Sequence, residues 1–309
     1  MISFPKISVV ISTFNGSKYV DSQIESIVNQ LYTPFQIIIS DDKSTDDTLI
    51  KLKLWQDKFP SLVEIYQQTE NIGYNRNFEF CLKKVRGDYV AISDQDDIWH
   101  EDKLLQISQS IHDNPDFNVF HHDEGIIGII GEEEILPKNK TYWKPYEGNG
   151  VNIVFLLNRL TGHKLIFESS LLKYILPFPG KVIYDWWINV VVAVHGNTKY
   201  INKKLMDYRM HAESAYFSKV SQELKNVTEP IKIALKAFSM VEGMKQEDQS
   251  LLSNLVKLYN RHIPHRFDLQ LFIFFFRNRH ILFRDYVIPF KFFRKEIFLL
   301  RMCRAYSKW

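Results

Sequence analysis

Three acids crowd into four positions where an apolar run stops: the chain reads Tyr89-Val90-Ala91-Ile92-Ser93-Asp94-Gln95-Asp96-Asp97. Side chains alternate between faces along an extended run, so Asp94 and Asp96 can point the same way. Two hard oxygen donors so placed suit Mg²⁺ or Mn²⁺, and an ion held there binds a diphosphate. An isolated pair of this kind equally fits a solvated acidic turn. A second acid stands among aromatics in Val182-Ile183-Tyr184-Asp185-Trp186-Trp187-Ile188. Burial against indole rings raises a carboxyl pKa, and a carboxylate tuned in this way can take a proton from a hydroxyl. Asp is also favoured at a helix N-cap, and an apolar helical pattern follows Asp185. His121-His122-Asp123-Glu124 fits no standard zinc spacing and reads as a strand end facing a cleft.

The elements around these acids alternate. Ile7 to Ile11 is a short β-branched run that reads as a buried parallel strand, and Val20, Ile24, Ile27, Val28 and Leu31 follow at helical spacing. Phe35 to Ile39 and Leu62 to Tyr66 are further strands, with Phe78, Leu82 and Val85 on a helix before the fourth strand. Ser44 is placed to cap the second helix, and Asp46 and Asp47 complement its dipole. This βαβαβαβ order predicts an α/β fold, a Rossmann-like, mainly parallel sheet flanked by helices. Its strands all end in polar loops at one rim, at Thr13 to Asn15, Asp41 and Asp42, Asn71 to Asn77, and Asp94 to Asp97. Open sheets of this kind place ligands at that rim, which favours chemistry over a solvated turn for the aspartates. Further on, a helix near Leu104 to Ile111, a strand near Asn118 to Phe120 and a long loop over 125–150, with room for a hairpin, are expected.

Four ordered segments carry a family resemblance: Ser-Thr-Phe-Asn-Gly after the first strand, Ser-Asp-Asp-Lys-Ser-Thr-Asp-Asp-Thr after the second, Asn-Ile-Gly-Tyr-Asn-Arg-Asn, and Asp-Tyr-Val-Ala-Ile-Ser-Asp-Gln-Asp-Asp-Ile-Trp. Together they resemble the family 2 inverting glycosyltransferases over roughly residues 5 to 215. The resemblance implies the glycosyltransferase A fold, with a nucleotide-diphospho-sugar across the C-terminal edge of the sheet. It places Thr13, Phe14 and Asn15 at the nucleoside, and Asp41 or Asp42 at the pyrimidine or ribose. Asn71, Gly73 and Arg76 then lie near base or diphosphate, with Asp94 and Asp96 as the metal-binding D-x-D. Lys43 stands where the usual pattern has Gly, which alters the turn. Leu160 to Phe167, with His163, resembles the segment entering the acceptor side, where Trp186 and Trp187 also fall. Asp185 matches the base-bearing motif. Met206-Asp207-Tyr208-Arg209-Met210-His211 resembles a motif whose histidine completes the metal site and whose arginine lies near the leaving group.

The expected activity is a metal-dependent, inverting transfer of a sugar to a hydroxyl of a growing, lipid-linked surface glycan. dTDP-rhamnose is favoured as donor and a UDP-hexose comes next, since the wording around the D-x-D looks most like rhamnosyltransferases that build O-antigen or capsule polysaccharide. A phosphatase would want its acid pair after the first strand, and a sugar nucleotidyltransferase a Gly-rich loop there. The alternative is a non-catalytic nucleotide-sugar-binding or membrane scaffold of the same fold.

The chain has 309 residues, 45% hydrophobic and 24% charged, with net charge +3. That balance gives no case for a nucleic-acid partner. The charge is uneven: from Arg261 onward 11 Lys or Arg stand against 3 Asp or Glu. Residues 1–220 are expected to form the transferase domain and 221–309 a helical, basic-aromatic extension. There Phe293, Ile297 and Leu300 share a helical face, and basic residues mixed with aromatics suit anionic headgroups. A homodimer contact is the other use of such a surface. Two cysteines, no signal pattern and no stretch of roughly 18 apolar residues point to a bacterial cytoplasmic protein, peripheral on the inner face of the plasma membrane.

Overall fold

Why the first four strands form is visible in β1 (Ile7–Thr13), whose residues alternate between two apolar layers. Val9 and Ile11 face one layer and Val10 the other, as the two-residue period of a strand requires. The structure, a computed structural model, describes residues 4–127, 129–130, 133–134, 144–211, 228–263, 266–286 and 303. β1 pairs in parallel with β2 (Gln36–Asp41) and with β4 (Tyr89–Ser93), and β3 (Val63–Gln67) adds in parallel to β2. The connecting helices are α1 (Val20–Val28), α2 (Thr48–Lys58) and α3 (Tyr74–Leu82). This is the mainly parallel α/β arrangement expected from the alternation.

Beyond β4 the sheet becomes mixed. The two-residue β5 (Ile98–Trp99) leads into α4 (Lys103–Asp113), and β6 (Val119–Ile127) follows. Ile129–Ile130 and Glu133–Glu134 pair as a short antiparallel hairpin, β7 and β8, in the stretch read as a loop. β9 (Leu165–Glu168) runs antiparallel to both β4 and β6 and joins the two halves of the sheet. The short helix α5 (Leu172–Ile175) and then α6 (Tyr184–His195) lead to β10 (Thr198–Arg209), parallel to β6. The strand order is β3-β2-β1-β4-β9-β6-β10-β5. His121 and His122 therefore lie inside β6 and are buried, not at a strand end facing a cleft, because β9 and β10 pair along both its edges.

One apolar layer holds α1, α2 and α4 through Ile24, Ile27, Leu52, Leu104 and Ile107. The other runs from Val10, Ile38 and Ile92 through α3 and α6. It continues into α7 (Thr228–Phe238), α8 (Gln246–Arg261), α9 (Leu269–Arg277) and α10 (Arg279–Leu282). Cys81 is buried in that layer beneath β1, where burial pushes its thiol up to about 12, so it is a core residue. Among the described residues no helix is long and apolar enough to cross a membrane. The face expected at Phe293, Ile297 and Leu300 lies outside the described residues.

Candidate active site

The first two loops of the rim are laced together by side chains. Asp41, fully buried, accepts hydrogen bonds from Ser44 N at 3.0 Å and Thr13 Oγ1 at 3.3 Å. Asn15 N donates to Ser44 Oγ at 2.9 Å, and Asn15 Oδ1 accepts from Thr45 N at 2.8 Å. Ser44 is thus a strut between the loops and not the helix cap. The cap position is Asp47, whose side chain makes no cap bond, and Asp46 just before it accepts from Thr48 N at 3.0 Å and from Ser17 N at 3.1 Å. Against a burial cost that acts upward, these bonds bring its pKa down to about 2.

Lys43 sits between these struts at φ 63. That left-handed conformation costs a non-glycine residue roughly 1 kcal/mol, and it is where the family pattern has Gly. Lys43→Gly should therefore raise unfolding stability by about 0.5–1 kcal/mol in a denaturant titration. An unchanged or lower midpoint would show that the turn carries no strain.

Asp42 reaches the third loop, where its two carboxylate oxygens accept from Ile72 N at 2.7 Å and Gly73 N at 2.9 Å. Gly73 takes φ 79, which leaves Asn71 to Gly73 as a turn pinned from below. Both aspartates thus bind the rim's own backbone. Arg76, one turn into α3, pairs with Glu79 on the same helix at 2.7 Å and is half exposed. Phe14 is exposed on the first loop, and its N–H donates to Gln95 Oε1 at 2.9 Å while Gln95 Nε2 donates to its carbonyl at 3.1 Å. Gln95, the middle residue of the D-x-D, fastens the first rim loop to the acid cluster.

At that cluster Asp94, Asp97 and His163 bring one ligand atom each within 4.8 Å of one another. Asp97 is completely buried; its Oδ1 accepts from Arg209 N at 3.2 Å and its Oδ2 has no hydrogen-bond partner. Burial, with Asp94 and Asp96 beside it, pushes the Asp97 carboxyl up. Asp96 points elsewhere, to His211 Nε2 at 2.8 Å. Arg209 Nε donates to the Asp96 carbonyl at 2.8 Å, and its guanidinium lies 5.0 Å from the ring centre of Tyr19. The end of β10 therefore delivers Arg209 and His211 to the D-x-D across more than a hundred residues of sequence.

His163 lies between two acids, with Nδ1 3.2 Å from Asp94 Oδ2 and Nε2 2.7 Å from Glu124 Oε2. Burial disfavours its charge, but those two carboxylates outweigh it and hold the imidazolium up to about 10. Lys164 pairs with the other oxygen of Glu124 at 3.2 Å. Beneath them Lys103 is fully buried, 3.8 Å from the Trp99 ring centre, and burial brings its pKa down to about 7. Glu124 and Lys103 carry no motif; their part follows only from where β6 and α4 bring them.

Asp185 enters from the other side, on the first turn of α6, which is not the N-cap. Its Oδ2 accepts from Gly162 N at 3.3 Å, one residue from His163, and its Oδ1 is buried with no hydrogen-bond partner. Burial raises its pKa to about 6, the Asn158 amide beside it working in the opposite direction. Asn158 is in turn hydrogen-bonded by Asn189 Nδ2, which also donates to Leu160 O at 2.9 Å. Asn75 ties this segment to α3, donating to Val182 O at 2.8 Å and accepting from Tyr184 N at 2.9 Å. Trp186 and Trp187 are buried with their indole N–H groups donated to Val154 O and Ile175 O, both at 2.8 Å. They present no surface to an acceptor and serve to desolvate the turn that carries Asp185.

A twisted sheet with acids, an arginine and a desolvated carboxyl gathered along the C-terminal edge of its parallel strands is the architecture of the glycosyltransferase A fold. Residues 8–150 match the model for glycosyl transferase family 2, and this part of the chain is a glycosyltransferase domain of that family. It is 25% identical over 224 residues to dTDP-rhamnosyl transferase RfbG of Shigella flexneri, covering 69% of this chain and 76% of the relative. It is 24% identical over 187 residues to the Escherichia coli UDP-Glc:alpha-D-GlcNAc-diphosphoundecaprenol beta-1,3-glucosyltransferase WfgD, covering 60% of this chain and 69% of that one. In fold it matches S. aureus TarS 1-349 in complex with UDP-GlcNAc at TM-score 0.63 and 16% identity, over 97% of this chain and 90% of that one. It also matches the Pyrobaculum calidifontis mannosyltransferase PcManGT in complex with GDP-Man and Mn²⁺ at TM-score 0.58 and 17% identity, over 82% and 70%.

Proposed function

We propose that this glycosyltransferase moves a sugar, with inversion, from a nucleoside-diphosphate donor to a hydroxyl of a growing lipid-linked surface glycan. The observation that carries the reading is Asp185: a carboxyl with one buried, unpartnered oxygen and a pKa near 6, linked through Gly162 and His163 to the D-x-D. As the acceptor oxygen bonds to the anomeric carbon, its proton passes to Asp185. The bond from that carbon to the diphosphate oxygen breaks on the opposite face, with the electron pair leaving on the nucleoside diphosphate. Arg209, held by the Asp96 carbonyl and the Asp97 carboxylate, is placed to meet that charge.

Carboxylates with an imidazole are the donor set expected of a Mn²⁺ or Mg²⁺ site, and the unpartnered Asp97 Oδ2 is a hard donor within it. Asp94, Asp96 and His211 would hold the ion, with Asp97 beside them. His163 carries a carboxylate on each ring nitrogen and would join the ion only by giving up one of them. When bound, such an ion neutralises charge on the diphosphate.

On the donor side, Thr13, Phe14, Asn15 and the turn from Asn71 to Gly73 form the nucleoside side of the rim, with Arg76 at its edge. Similarity to the rhamnosyl transferase favours dTDP-rhamnose, with a UDP-hexose next on the strength of the glucosyltransferase. The diphosphoundecaprenol acceptor in the latter's name supports a lipid-linked acceptor here, met at the inner face of a bacterial plasma membrane through the C-terminal region. Product stereochemistry tests the chemistry: proton NMR of the transferred sugar should show the anomeric configuration opposite to the donor's, and retention would overturn the single displacement.

Asn158 favours the charged form of Asp185, so its loss should move the acid limb of the rate upward. For Asn158→Leu, a rise of the Asp185 pKa from about 6 to about 7 lowers kcat at pH 6 roughly fivefold, with donor KM unchanged. An acid limb left in place would mean that Asn158 does not tune Asp185.

A further inference from the structure

α9 is apolar on two opposite sides, and only one of them is covered. Leu271 and Phe275, four residues apart, are fully buried in the core. Leu269, Ile273 and Phe276 fall within an arc of about 60° on the far side and are 58%, 40% and 41% exposed. Phe267 and Ile263 extend the exposed stripe back along the chain. A helix that needed only to pack on the domain would show polar residues there.

The charge around the stripe has one sign. Arg261, Arg266, Arg277, Arg279 and His280 are exposed, and over 261–286 no acidic side chain is exposed among the described residues. Asp268 is half-buried and turned inward as the cap of α9, accepting from Leu271 N at 3.0 Å. The Arg279 guanidinium lies 4.3 Å from the ring centre of Phe276, so cation and aromatic share one surface.

We propose that this face of α9 is the membrane-docking surface of the protein, with Leu269, Ile273, Phe276 and Phe267 entering the headgroup boundary of an anionic bilayer and the arginines meeting its lipid phosphates. A second copy of the chain fits less well, because a two-fold contact across this face would bring one basic rim against another. The assignment rests on the proposed membrane contact of the C-terminal region and gives it a specific helix face.

Flotation of the full chain with vesicles tests it, using phosphatidylcholine alone and phosphatidylcholine with about 30% phosphatidylglycerol. Binding should require the anionic lipid and weaken several-fold between about 0.1 M and 0.5 M salt. Leu269→Gln/Ile273→Gln/Phe276→Ser should lower the bound fraction at least tenfold. Arg266→Glu/Arg277→Glu, which leaves the apolar stripe intact and guards against a misfolded triple variant, should do the same. Calorimetric donor binding on the same preparations separates the two readings: intact donor binding with no vesicle binding overturns the docking surface alone. Equal flotation of wild type and both variants, or sedimentation as a dimer that only the triple variant abolishes, with no vesicle binding, would also overturn it.

Discussion

Asp185→Asn should lower kcat by about 10³- to 10⁴-fold while leaving the donor dissociation constant within about twofold of wild type. The amide keeps the shape and the contact with Gly162 but takes no proton. The variant should fold at least as well as wild type, for a reason of sign. Burial raises the folded-state pKa of Asp185 to about 6, above the usual carboxylate value, so the folded state binds the extra proton between the two. Stability therefore falls as pH rises through that window, and a neutral amide removes the penalty. In wild type the rate should fall below pH of about 6, and the residual rate of the variant should lose that limb. Donor binding lost together with turnover would instead make Asp185 part of the donor site.

Asp96→Ala carries the second large effect. Its carboxylate holds His211 at 2.8 Å, and its backbone carbonyl receives Arg209. Removing the side chain takes away one proposed ligand and releases another. Turnover should fall about 10²- to 10³-fold, and donor binding should no longer respond to Mn²⁺ or Mg²⁺. Isothermal titration with and without divalent ion checks this. A divalent-dependent donor affinity that survived the change would move the ion to the Asp94–Asp97 side of the cluster.

The parallel half of the sheet is legible because each of its strands is a short apolar run that stops at a polar loop. β10 is harder to read: Asn202, Lys203 and Lys204 lie exposed in its middle, and register shifts interrupt its pairing with β6. β9 is only four residues long and lies between strands from distant parts of the chain. Without those two strands, His121 and His122 look like a strand end. The same limit applies to the site. Asp94, Asp96, Asp185, Arg209 and His211 stand out because their residue types suit the chemistry or match a motif. Gln95, Glu124, Asn158 and Asn189 act through neighbours 27 to 81 positions away, and no local pattern marks them. Ser44 has the right type for a cap, yet the β1 loop competes for its hydroxyl, and the cap position falls at Asp47.

The central claim is a divalent-dependent nucleotide-sugar site that supports transfer. The most direct measurement is a calorimetric screen of the purified protein with Mn²⁺ or Mg²⁺ against UDP-, dTDP- and GDP-sugars, paired with slow donor hydrolysis to the nucleoside diphosphate. One donor, with dTDP-rhamnose expected first, should bind only with the ion and be hydrolysed by wild type but not by Asp96→Ala. No binding across the panel would contradict the account and leave a non-catalytic scaffold of the same fold.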